Sequence, residues 1–122
     1  SSAHKATRMT LDIVRDYLQN ERVYTLITCA GKSNALSAVV DSKSYKPVIA
    51  CPPLKHESMY DLYSSTSMPS DVAPMVVLKP ENAAGLPHGF IGLYEQEFTQ
   101  KIQAISRKKV IHLYNYNTSF NW

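Results

Sequence analysis

The sequence predicts an α/β domain with a mostly parallel sheet, and two observations carry that expectation. Short runs rich in β-branched and aliphatic residues end in Gly or Pro turn chemistry at Val23–Ala30, Pro47–Cys51 and Pro74–Leu78. Between them lie segments long enough for helices, and strand, helix, strand is the pattern of a parallel crossover.

Taken in order, Ala6–Asn20 repeats apolar residues at Met9, Ile13 and Tyr17 and at Leu11, Val14 and Leu18. That three-and-four spacing predicts a first helix with one buried stripe. Val23–Ala30 (VYTLITCA) stops at Gly31, and Pro47–Cys51 (PVIAC) stops at Pro52-Pro53, so both read as buried strands. Ser33–Ser44 fits a short helix with Leu36, Val39 and Val40 on one side. A polar stretch follows, with a short helix expected around Ser58–Thr66, a break at Pro69 and a third strand at Pro74–Leu78. From about Asn82 to Leu113 the pattern is helical, but Gly85, Pro87, Gly89 and Gly92 predict a kink or break in its first half. Residues 113–122 form an irregular aromatic tail, and the expected organisation is a single domain over residues 1–122.

Composition narrows the function classes. The chain has 122 residues, 44% hydrophobic and 19% charged, which fits one soluble globular domain and excludes a disordered chain. No apolar run nears the ~20 residues a bilayer requires. Thirteen Lys and Arg against ten Asp and Glu leave a charge of +3 spread along the chain, better suited to a small anion than to nucleic acid. The one candidate nucleic-acid patch, Arg107-Lys108-Lys109 with Tyr114 and Tyr116, reads equally as a solvated last helical turn. Cys29 and Cys51 sit in apolar sequence surroundings, which predicts reduced thiols and a cytoplasmic protein. Cys51 reads as a buried structural thiol, since no adjacent base is identifiable. The four His, at positions 4, 56, 88 and 112, lie too far apart for a metal-ligand spacing, so no metal is expected. The chain starts at Ser1 without an initiator Met or a leader pattern, and reads as cut or processed.

In a parallel sheet, ligands bind at the carboxyl ends of the strands, which directs attention to Ala30–Asn34, Cys51–Leu54, Lys79–Asn82 and the segment Ser1–Lys5. Ser2-Ala3-His4-Lys5 sets a hydroxyl, an imidazole and an ammonium before a helix start. An imidazole exchanges protons near neutral pH, and a lysine holds phosphate or carboxylate. The plain alternative is an exposed His near a frayed terminus. Ala30-Gly31-Lys32-Ser33-Asn34 joins a strand to a helix, where backbone N–H groups, Lys32 and two polar side chains converge toward an anion. It is neither a Walker loop, since no glycine lies five residues before Gly31, nor a dinucleotide loop. Its plain alternative is a turn capped by Ser33 or Asn34.

Together these segments resemble the aminoimidazole ribonucleotide (AIR) carboxylase domain, in the animal-type branch fused to SAICAR synthetase. The resemblance rests on Ser2-Ala3-His4-Lys5, Ala30-Gly31-Lys32-Ser33-Asn34, Pro47-Val48-Ile49 and Cys51-Pro52-Pro53-Leu54. It continues through Asp61-Leu62-Tyr63-Ser64-Ser65, Met68-Pro69-Ser70, Val77-Leu78, Pro80-Glu81 and Gly92-Leu93, over about residues 1 to 110. The resemblance implies a three-layer flavodoxin-like domain that lacks its first strand and helix and is followed by a C-terminal helix. It implies a lyase of purine biosynthesis that carboxylates AIR with carbon dioxide, using no ATP, biotin, metal or other cofactor. By the same resemblance His4 is the proton acceptor and donor, and Lys5 marks the branch that uses carbon dioxide directly. Ser2 lies beside the phosphoribosyl portion, and Ala30, Gly31, Lys32, Ser33 and Asn34 form the second substrate loop. The expected partners are AIR, carbon dioxide, further copies in an octamer and a fused or separate SAICAR synthetase domain, with neither nucleic acid nor membrane.

Four departures from the family pattern bear on that expectation. Where the animal-type pattern continues with two glycines and a proline, this chain reads Ala35-Leu36-Ser37-Ala38-Val39-Val40-Asp41-Ser42-Lys43, which predicts a narrower pocket and a new negative charge at Asp41. Asp71 stands where the family usually has Gly, and Lys32 where Arg is common. The strand and Gly-Ser-x-Ser-Asp phosphate loop with which the family begins are not in this sequence. These departures motivate a second reading, a non-catalytic descendant kept for assembly, storage or ligand binding.

Overall fold

A computed structural model describes residues 2–53, 59–95, 97, 100–101, 103–108 and 111. Helix α1 spans Thr7–Gln19, strand β1 Leu26–Thr28, helix α2 Ala35–Asp41, strand β2 Val48–Ala50, helix α3 Met59–Thr66, strand β3 Met75–Val76, helix α4 Pro80–Gly85 and helix α5 Pro87–Tyr94. The three strands form one parallel sheet in the order β1-β2-β3. Its register pairs Leu26 with Val48, Ile27 with Ile49 and Thr28 with Ala50, then Ile49 with Met75 and Ala50 with Val76. The expected alternation of strand and helix is therefore present, with shorter strands than the apolar runs suggest.

The chain divides into two compact units, Ser1–Gly85 and Leu86–Trp122. In the first, β2 is the central strand and all three of its residues are buried. Side chains alternate across a strand, so Leu26 and Val48 share one face. There they meet Val14 and Leu18 of α1 and Val40 and Leu36 of α2, and this cluster is the core. The turn into α2 is closed by Asn34, whose side chain accepts from Ser37 N–H at 3.1 Å, the ordinary N-cap bond. The helix starts at Ala35 rather than Ser33 because Lys32 and Ser33 both take positive φ, 53° and 60°. In the second unit, Pro87 occupies the first turn of α5, and extended backbone at Glu95 ends that helix. The break expected in the first half of the C-terminal helix thus falls at the Gly85–Pro87 junction and again at Glu95, while Gly89 and Gly92 stay helical. Helical backbone recurs at 97, 100–101, 103–108 and 111. Leu54, Lys55, His56, Lys109, His112 and the aromatic tail lie outside the described residues.

Two expectations are corrected. The α1 stripe that packs inward is Thr10, Val14 and Leu18, whereas Met9, Ile13 and Tyr17 are exposed. The two apolar series share the helical period, and only the sheet's position selects between them. Cys29 is exposed while Cys51 is buried, because Cys29 lies past the end of β1 beside an open cleft. Asp41, the last residue of α2, is outside the residues that line the cleft, and its Oδ2 accepts from Ala73 N–H at 2.8 Å.

Candidate functional site

The segment before α1 is a built turn. Lys5 N–H and Ala6 N–H donate to the Ser2 carbonyl at 3.1 and 2.7 Å, and Thr7 Oγ1 donates to the Ala3 carbonyl at 2.6 Å. Ala3 is buried, so it pins the turn to the body of the unit and leaves Ser2, His4 and Lys5 exposed around it. A methyl side chain at position 3 anchors without filling the cleft beside it.

The second loop leaves β1 at its carboxyl end and is held by a buried polar network. Asn34 Nδ2 donates to Ser65 Oγ at 2.9 Å, Ser65 Oγ donates to the Asp61 carbonyl at 2.7 Å, and Ser37 Oγ donates to Asn34 Oδ1 at 2.8 Å. Thr28 Oγ1 and Ser37 Oγ share a hydrogen bond of 2.7 Å that ties the network to β1. Thr28, Asn34, Ser37, Asp61 and Ser65 are all buried, and their mutual pairing is what makes so polar an interior tolerable. Asn34 is the hub, and its side chain caps and anchors.

Part of the loop's backbone is also committed. Lys32 N–H donates to Asp61 Oδ1, Asn34 N–H donates to Ser64 Oγ at 3.1 Å, and Ala35 N–H donates to the Ser33 carbonyl at 2.6 Å. The N–H groups of Lys32 and Asn34 are thereby engaged by α3 and that of Ala35 by the loop itself, so these three do not point at an anion. The exposed groups that the loop presents are the Lys32 and Ser33 side chains.

A cavity of about 180 Å³ lies between the two segments, lined by Ser2, Ala3, His4, Cys29, Ala30, Gly31, Ala35 and Leu36. Candidates 26 or more positions apart in sequence, Ser2 and His4 with Ala30 and Gly31, therefore line one cleft. Lys5 turns away from it and lines an outer groove with Arg8, Asp12 and Asp16 on α1. Of the altered α2 segment, Ala35 and Leu36 face the cavity, and Ser37 and Val40 are buried. Cys29 was not singled out as a site residue by sequence, although its place one residue before Ala30 was the available signal. Burial pushes the Cys51 thiol above its ordinary 9.0, with Cys29 and Glu81 adding to the shift. Among the described residues no three His, Cys, Asp or Glu side chains gather where they could hold a metal ion.

An imidazole and a hydroxyl facing a glycine-bearing loop across a small cleft can bind a small polar molecule and move a proton on it. The model of the AIR carboxylase family matches residues 1–110, which include both walls of the cleft. The chain belongs to the AIR carboxylase family. It is 39% identical over 115 residues to a phosphoribosylaminoimidazole carboxylase of Archaeoglobus fulgidus, covering 93% of this chain and 63% of that protein. To the bifunctional phosphoribosylaminoimidazole carboxylase/phosphoribosylaminoimidazole succinocarboxamide synthetase of Drosophila melanogaster it is 44% identical over 85 residues, 69% of this chain and 20% of that one. The crystal structure of Treponema denticola PurE superposes with a TM-score of 0.91 at 32% identity, covering all of this chain and 78% of that one. The AIR carboxylase fold, flavodoxin-like with a parallel sheet, is thus the fold of this chain. The chain spans a little under two thirds of the length of the Archaeoglobus and Treponema carboxylases it matches.

Proposed function

We propose that this chain takes part in purine biosynthesis as an AIR carboxylase, adding carbon dioxide to the imidazole ring of aminoimidazole ribonucleotide. The observation that carries the proposal is the cleft itself. It joins Ser2 and His4 to Ala30 and Gly31, and so assembles from distant sequence the two segments whose motifs resemble the family's substrate loops. The family match supports the same reaction class.

In that reaction a ring carbon forms a bond to carbon dioxide and must then release its own proton. His4 lines the cleft and carries the group suited to accept that proton and to return it in the reverse direction. Ser2 offers a hydroxyl to the phosphoribosyl portion, and Lys32 and Ser33 present an ammonium and a hydroxyl from the opposite loop. Lys5 lines the groove on the outer side of the turn and is not among the residues that line the cleft. Asn34 supports the loop from beneath. Assembly into a homo-oligomer, and work beside a fused or separate SAICAR synthetase, belong to the same proposal. The exposed apolar series Met9, Ile13 and Tyr17 on α1 supports the first, and the bifunctional animal relatives support the second. No described helix is long and apolar enough to cross a membrane.

The test is carboxylation of AIR with bicarbonate by the intact protein beside a His4→Asn variant. Turnover that falls by about a hundredfold or more in the variant, the usual size of a lost acid–base group, is the expected outcome. A well-assembled protein that neither binds nor turns over AIR would sink the proposal and leave a fold kept for assembly or for another ligand.

A further inference from the structure

The Ala30–Asn34 loop is held by a side chain that comes from another element. Lys32 and Ser33 both take positive φ, 53° and 60°, and two successive side-chain-bearing residues stay in that region only where their surroundings over-determine it. Asp61, in the first turn of α3, is 7% exposed, and its Oδ1 accepts the Lys32 N–H at 2.5 Å. Its Oδ2 lies 2.9 Å from the place a Cβ at position 31 would occupy. The carboxyl group thus fills the space beside Gly31 that a side chain would need, while Gly31 itself lines the cleft with His4. From the same helix, Ser64 Oγ takes the Asn34 N–H.

We propose that Asp61 is a positioning residue of the site: through the Lys32 N–H and its fit against Gly31, it fixes the loop whose Ala30 and Gly31 line the cleft, and so keeps the cleft in the shape that binds the substrate. The substrate's identity rests on the AIR carboxylase reading. The holding of the loop does not. Asp61 acts through the loop, so its loss weakens substrate binding more than the proton transfer at His4. A purely structural Asp61 would lower the amount of folded protein and leave the KM of the folded fraction unchanged.

The test compares Asp61→Ala and Asp61→Asn in the full chain, reading AIR kinetics and hydrogen exchange at the Lys32 amide. Asp61→Ala is expected to raise KM for AIR by about tenfold or more, to change kcat by less than about threefold, and to strip the Lys32 amide of protection. Asp61→Asn keeps an oxygen for that N–H and restores both KM and protection to within about threefold of the parent. A parental KM in Asp61→Ala, or an Asp61→Asn variant no better than Asp61→Ala, overturns the proposal. Should Asp61→Ala fail to fold, Gly31→Ala attacks the same contact from the loop side; it is expected to raise KM, and an unchanged KM overturns the proposal equally. If the parent protein shows no AIR turnover, the functional reading fails by itself, and Lys32 exchange still decides whether Asp61 holds the loop.

Discussion

Each of three residues is explained by its own neighbourhood. Asp71 has φ 66°, the left-handed region where glycine is most at ease, and aspartate is among the few side-chain-bearing residues that tolerate it. Cys29 and Cys51 follow the paired residues Thr28 and Ala50 at the ends of neighbouring strands, and Cys51 N–H donates to the Thr28 carbonyl at 2.8 Å. Their environments nonetheless differ, one thiol open to the cleft and the other buried. A thiol whose folded-state pKa is raised stays protonated in the folded protein where the unfolded chain would ionise. Its contribution to stability is therefore complete below the ordinary 9.0 and is lost as pH rises through the higher folded value. Unfolding free energy measured from pH 7 to 11 should fall above about pH 9, and Cys51→Ala should remove part of that fall. A Cys51→Ala profile parallel to the parent's across the range would contradict this account.

Elements owe their ends to capping and their faces to the sheet. Helix α2 is short, and its N-terminus is bound into the protein by Asn34, which closes Ser37 N–H and holds Ser65 through its amide. Asn34→Ala removes the cap, worth about 0.5–2 kcal/mol, and takes one hydrogen bond from each of the buried Ser37 and Ser65 hydroxyls, about 1–3 kcal/mol for the two, while Thr28 and the Asp61 carbonyl remain their partners. A destabilisation of about 1.5–5 kcal/mol by urea denaturation is the expected sum, and a loss below about 1 kcal/mol would show that water replaces the amide. Much of this level was legible in the sequence. Strand–helix alternation, the Asn34 cap and the break near Pro87 all follow from local residue chemistry. Strand lengths were not, since Val23–Thr25 has the composition of a strand but lies beyond the paired register of β1 with β2. The inward face of α1 was not legible either, because Met9, Ile13 and Tyr17 satisfy the helical period as well as the residues that are buried.

At the scale of the molecule, β2 carries the first unit, with a paired strand on each side and Ile49 and Ala50 wholly shielded from solvent. Ile49→Ala should cost about 2–5 kcal/mol and lower the urea midpoint with little change in slope, as for a large-to-small change in a packed core. A cost under about 1 kcal/mol would mean that the face of the sheet bearing Ile49 repacks freely around the loss. By itself the sequence determined the α/β class, the order of its elements, the family to which its motifs point and the two segments worth watching. These follow from periodicity, turn residues and spacing, which are local and survive without coordinates. Only the tertiary structure decided that His4 and Gly31 share a cleft while Lys5 does not, that Asp61 reaches Lys32 across 29 positions, and that the N–H groups of Lys32 and Asn34 are taken by α3. Such pairings depend on how the turn before α1 and helix α3 come to lie against the end of β1, and chain distance carries no record of that geometry.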